Sequence, residues 1–208
     1  MKKTITPAEA GREEEYGYWI NNSMPMVHIT TTLDITRLVR LRHKHHELKM
    51  NMLMCYCIVR AAQQVEEMHL LISGKDIVWS DRINVQTILK DKNGKLRFCD
   101  LPATDSLEEF VSIYNRLARE VYESCNHHFD SEAHFVGTSC VSTTLPLDSV
   151  SNQCNESFMN PFLMWGAYRR AFPWRYKLSI SLQFHHVQMN GAEACRFLEV
   201  LQKEINAL

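Results

Sequence analysis

Residues 177–187, Lys-Leu-Ser-Ile-Ser-Leu-Gln-Phe-His-His-Val, alternate polar and apolar side chains, and a helix-forming run then carries the chain to Leu208. A period of two marks a strand with one face turned to a core. In the following run, Ala194, Phe197, Leu198, Leu201, Ile205 and Leu208 recur at three- and four-residue steps, the stripe of an amphipathic helix. Joined so closely, the two bury their apolar faces together only if the helix folds back onto the sheet. Asn190, with Glu193 three residues on, supplies a cap and a capping box for that helix.

The rest of the chain interleaves the same two patterns. Ser106 to about Cys125 places Phe110, Tyr114, Leu117 and Val121 at helical intervals, and Lys49 to Met68 reads as an apolar, Met-rich helix. Asp34-Ile35-Thr36 starts a polar helix that runs to about Glu47, and a short helix before it turns Tyr16, Tyr18 and Trp19 inward. Met26 to Leu33, Phe135 to Thr144 and Phe162 to Tyr168 are strand-prone. His69 to Trp79 forms two short strands around Gly74, and Asn84–Lys90 with Lys95–Asp100 flank an Asn-Gly hairpin turn. A hairpin among alternating helices predicts an α/β fold, a two-layer sandwich with a mixed sheet covered by helices. At 208 residues, with no Gly/Ser/Pro-rich linker, residues 1–208 are expected to form one domain.

Composition excludes several function classes. The formal net charge is −1 and Lys and Arg are scattered along the chain, so no basic stripe points to nucleic acid. The polar amino-terminal stretch has no apolar core of a signal peptide, and no apolar run is long enough to span a bilayer, so a cytoplasmic protein without membrane attachment is expected. The seven cysteines, Cys55, Cys57, Cys99, Cys125, Cys140, Cys154 and Cys195, contain no CxxC pair and read mostly as reduced small hydrophobes. Neither His43-Lys44-His45-His46-Glu47 nor Cys125-Asn126-His127-His128 offers a complete ligand set, so no metal is expected. Gly-rich phosphate loops and GxSxG elbows are absent.

The adjacent histidines carry the chemistry. Period-two reading puts His186 on the apolar row with Leu182 and Phe184, and His185 on the polar row with Ser181 and Gln183. An imidazole at the end of an apolar row is pushed down by desolvation and stays available as a base near neutral pH. On the residues alone, His186 is either that base or a hydrogen-bonded core residue.

His185-His186-Val187-Gln188-Met189-Asn190-Gly191 resembles the HHxxxDG motif of the chloramphenicol acetyltransferase family, shared with the dihydrolipoamide acyltransferase catalytic domain. The resemblance extends over nearly the whole chain, including Leu33-Asp34-Ile35-Thr36, Leu71 to Trp79, Leu101-Pro102, Asp148-Ser149 and Tyr168. It implies a homotrimer with active sites in clefts between subunits, acetyl-CoA as co-substrate with no permanently bound cofactor, and a small hydroxylated acceptor such as chloramphenicol. His186 would be the general base on the acceptor hydroxyl, which attacks the thioester directly. A different acceptor, or a catalytically weakened trimer that binds CoA or small molecules, are the alternatives.

By the same resemblance, Arg12 supports the site through the motif's aspartate position, where this chain has Asn190. An amide there would give a bond about half as strong as a charge-assisted one. An ungapped count places Cys140 at the oxyanion-stabilising hydroxyl, and a two-residue shift brings in Ser142 or Thr138 from the same strand face. The acceptor pocket would be lined by Tyr18, Trp19, Leu96, Phe98 and Met164, each of which also reads as ordinary core, and Tyr168 would pack on the CoA adenine.

Overall fold

A computed structural model describes residues 1–152 and 159–208; Cys154 lies outside them. The elements run in the order β1 (Lys2–Ile5), α1 (Glu13–Trp19), β2 (Met26–Asp34), α2 (Thr36–Lys44), α3 (Met50–Gln63), a 3-10 turn (Glu66–His69), β3 (Leu70–Ser73) and β4 (Asp76–Ser80). They continue with β5 (Ile83–Lys90), β6 (Leu96–Pro102), α4 (Leu107–Ser124), β7 (His134–Cys140), β8 (Phe162–Trp165), β9 (Arg169–Ala171), β10 (Arg175–His185) and α5 (Gly191–Ala207).

The main sheet has the order β2-β10-β8-β7-β5-β6, with β9 paired to the start of β10. β7 runs parallel to β5 and β8, and the other pairs are antiparallel, so the sheet is mixed. One face is buried under the helices. Leu178, Ile180, Leu182 and Phe184 of β10 share a core with Leu163 and Trp165 of β8, Val136 of β7 and Val85 of β5. α3 packs on β5 and β7 and beneath α5, and that position between two layers is why it is apolar on nearly every side. Met52, Met54 and Met68 fill this core. The opposite face carries small and polar groups, among them Ser139, Ser181 and Gln183; Thr30 and Ser181 share a hydroxyl–hydroxyl bond of 2.8 Å.

Element ends depart from the sequence expectations where tertiary pairing stops. β10 ends at His185, and His186 to Gln188 form a turn, because His186 N donates to the Pro25 carbonyl (2.9 Å) outside the ladder. β7 ends at Cys140, where its partner β8 also ends, so Ser142 is not on the strand face assigned to it. The helix from Met50 stops at Gln63, and Phe162 to Tyr168 is two features, β8 and the link to β9. The polar amino terminus contributes β1, which pairs with β4 and helps cover a small second cluster of Leu70, Ile72, Ile77 and Val187. Among the described residues, no helix is long and apolar enough to cross a membrane.

Candidate active site

The two histidines have opposite surroundings. His185 is buried, its Nδ1 accepts from Val187 N (3.0 Å), and burial, helped by the neighbouring His186, pushes it down to about 4. The fully buried imidazole of the pair is therefore His185, not His186, because the strand ends there and both faces of its last residues are covered. His186 is half-buried in the turn, and its ring lies flat on Trp19 with centroids 4.5 Å apart and planes 8° apart. Its Nδ1 is buried with no hydrogen-bond partner among the described residues.

Trp19, expected to line an acceptor pocket, is thus the platform under His186. Tyr18 does not turn inward: it is 78% exposed, since α1 is short and has no buried residue. Arg12, just before α1, is 6% exposed and donates from Nη2 to Glu193 Oε1 (2.8 Å), with Glu67 at 3.4 Å and Glu15 at 3.6 Å. The expected pairing of Arg12 with the Asn190 amide is corrected. Asn190 Oδ1 instead caps α5 by accepting from Ala192 N (3.0 Å) and Glu193 N (3.1 Å), and Asn190 N donates to Glu193 Oε2 (2.7 Å). The guanidinium keeps an ionic partner; the carboxylate sits one helical turn later than the motif places it. Sequence reading found Glu193 only as half of a capping box, and its second oxygen was the missed signal.

The oxyanion candidates lie elsewhere on the sheet. Thr138 points to the helix side, donating to the Gln86 carbonyl (2.9 Å) and lying 3.7 Å from Cys55 Sγ, so its hydroxyl is committed. Cys140 is half-buried, its thiol is pushed up by burial, and it donates to the Ser142 carbonyl (3.5 Å). Ser142 Oγ accepts from Leu145 N (2.8 Å) and Thr144 N (3.3 Å), and its own proton has no acceptor among the described residues. The chain then passes over Gly166, where a Cβ would stand 2.6 Å from the Leu145 carbonyl and 3.0 Å from Leu147 N. Gly166→Ala must displace that backbone, and we expect it to destabilise by about 1–3 kcal/mol, read as a lower urea midpoint.

Leu96 is 61% exposed on β6, and Phe98 beside it stacks on His127 with centroids 5.3 Å apart. Met164 is buried on the face away from the helices, opposite Ser139 and Ser181. Tyr168 is half-buried, edge-on to Tyr176 at 5.6 Å. These groups are not gathered around His186 within one chain. Cys140 is level with Trp165 and Ile180, six residues before His186, or about 20 Å along the strand at about 3.3 Å per residue.

The family model described as chloramphenicol acetyltransferase matches residues 3–202. The chain belongs to the chloramphenicol acetyltransferase family. A curated relative, chloramphenicol acetyltransferase 2 of Escherichia coli, is 25% identical over 179 residues, covering 84% of this chain and 83% of its own. A solved chloramphenicol acetyltransferase superposes with a TM-score of 0.81 at 19% identity, covering 99% of this chain and 100% of the other. A dihydrolipoamide acetyltransferase of Azotobacter vinelandii, studied for the roles of a serine, a histidine and an asparagine in its catalytic mechanism, superposes at 0.70 with 16% identity, covering 95% and 87%. This is the fold of the CoA-dependent acyltransferases, and membership of the family makes an acyl-CoA-dependent acyltransferase the activity class.

Proposed function

We propose that the protein transfers an acetyl group from acetyl-CoA to a hydroxyl of chloramphenicol or a similar small molecule, with His186 as general base. The observation that carries this reading is the fixed ring of His186, held flat on Trp19 in the turn of the family motif while the neighbouring His185 is committed to structure. His186 takes the acceptor proton as the oxygen attacks the thioester carbonyl. The tetrahedral oxyanion accepts a hydrogen bond, then collapses and expels the CoA thiolate, which recovers the proton from the imidazolium. In the Azotobacter relative the histidine and asparagine named for catalysis stand four residues apart, as do His186 and Asn190.

The separation of about 20 Å between His186 and Cys140 along the strand supports a site completed by a second copy, as in a homotrimer with cytoplasmic function. For the oxyanion, the Ser142 hydroxyl, whose proton has no acceptor among the described residues, is favoured over the Cys140 thiol, a weaker donor already turned to a carbonyl. Ser142→Ala is expected to lower kcat about 10²–10³-fold, and Cys140→Ala far less. The ion pair of Arg12 with Glu193 removes one of the two grounds for a weakened binding protein.

Thiol release from acetyl-CoA, followed with chloramphenicol and a panel of hydroxylated small molecules, tests the reading. Turnover of at least one acceptor is expected; a wild-type protein no faster than His186→Ala on every acceptor would overturn it.

A further inference from the structure

The turn that carries His186 makes its own shape from groups close by. Gln188 N and Met189 N both donate to the His185 carbonyl, at 2.9 and 3.2 Å, Val187 N donates to His185 Nδ1, and His186 N donates to the Pro25 carbonyl. None of these bonds uses the side chain of Gln188, and the family motif leaves that position open. Yet Gln188 is 1% exposed. It sits between Val187, which belongs to the cluster of Leu70, Ile72 and Ile77, and Met189, which belongs to the main core. A buried carboxamide costs free energy unless it is hydrogen-bonded, so a polar side chain at this point needs a reason beyond the turn itself.

That reason lies in a distant part of the chain. Gln188 Nε2 donates to the Leu70 carbonyl (2.7 Å) and to the Glu67 carbonyl (3.2 Å), 118 and 121 positions away. An amide nitrogen has two protons, one for each carbonyl. The two carbonyls bracket the passage from the 3-10 turn (Glu66–His69) into β3, where Leu70 N also donates to Glu67 O. The carboxylate of Glu67 meets Arg12 and Arg196, so the 3-10 turn is itself held to α5 and to the residue before α1. Trp19, the platform under the imidazole, packs against the cluster that Leu70 and Val187 share. Apolar contact keeps the motif turn and β3 together without fixing their orientation, whereas two directional bonds from one amide fix it.

We propose that Gln188 is a positioning residue for His186: its carboxamide locks the motif turn to the 3-10 turn and β3, and so holds the imidazole flat on Trp19. The proposal deepens the reading of His186 as general base and rests on it. A base must lie within hydrogen-bond reach of the proton it takes, and a misplacement of about 1 Å can cost about 10²-fold in rate. Since His186 Nδ1 has no hydrogen-bond partner among the described residues, the ring takes its placement from the turn that carries it and from the face of Trp19. Gln188 touches no reacting atom and acts only through that placement.

Gln188→Met, which keeps the length of the side chain and removes both donors, tests this on the full chain with two readouts. In transfer from acetyl-CoA, kcat is expected to fall about 10–10²-fold while the KM for acetyl-CoA and for the acceptor stay within about twofold of the wild type. In NMR spectra of histidine-labelled protein, the upfield displacement of the His186 ring protons by the Trp19 face, identified by its loss in Trp19→Leu, is expected to shrink in Gln188→Met. Val121→Ala on α4, a core truncation remote from the turn, should lower the thermal midpoint and leave both readouts unchanged. If Gln188→Met does not fold, Gln188→Asn, with the amide on a shorter stem, takes its place and the same losses are expected. An unchanged kcat, a ring displacement equal to that of the wild type, or equal kcat losses in the Gln188 and Val121 variants would overturn the proposal. His186→Ala as fast as the wild type would instead overturn the base reading, and the ring displacement would then still show whether Gln188 holds the imidazole.

Discussion

If the proposed mechanism holds, His186→Ala is expected to lower kcat for acetyl transfer by about 10²–10⁴-fold, the usual contribution of a positioned general base, while the thermal midpoint should stay close to that of the wild type. The fold should tolerate the change because the ring is half-buried in a turn, its Nδ1 has no partner to lose among the described residues, and the turn is tied by the backbone bond to Pro25. His185→Ala should behave in the opposite way. It removes a buried ring and leaves Val187 N without its acceptor, so the loss falls first on stability. Steady-state kinetics together with thermal melts on the two variants separate the roles, and equal effects from both would show that neither histidine is specifically the base.

Arg12→Ala is expected to destabilise the protein by about 3–5 kcal/mol, the cost of leaving buried charge without its partner. The guanidinium side chain is 7% exposed, with Glu193 at 2.8 Å and Glu67 at 3.4 Å, and only Arg196 would remain to face Glu67. For a chain of this size the thermal midpoint should fall by roughly 6–20 °C. The same contact sets an acid limit. Burial alone would raise Glu193, but the hydrogen bond from Arg12, the Asn190 amide and the charge of Arg12 outweigh it and hold the carboxyl below its ordinary range. A group depressed on folding contributes stability above its unfolded value of 4.5 and loses it as pH falls through the folded one. Urea midpoints of the wild type should therefore drop as pH falls below about 4.5, with a smaller drop in Arg12→Ala. Identical pH profiles would mean that Glu193 does not depend on Arg12.

Local periodicity made much of the fold legible. The stripe of α4, the alternation of β10, the Asn-Gly hairpin of β5 and β6 and the capping box of α5 are set by neighbours within a few residues, and each is present. β1 was not legible, because four mostly polar residues become a strand only by pairing with β4 about 75 positions away. The ion pair of Arg12 with Glu193 joins residues 181 positions apart. The motif pointed to the residue that caps the helix rather than to the one that carries the charge.

By itself, the sequence determined the mixed α/β class, the family motif around His186, and the helix that follows it, since hydrophobic period and capping chemistry act over short range. Only the tertiary structure decided which histidine is buried and which carboxylate answers Arg12. Burial, ion pairing and field strength depend on distance in space, and residues far apart in the chain acquire those distances only when the sheet and its helices close on one another.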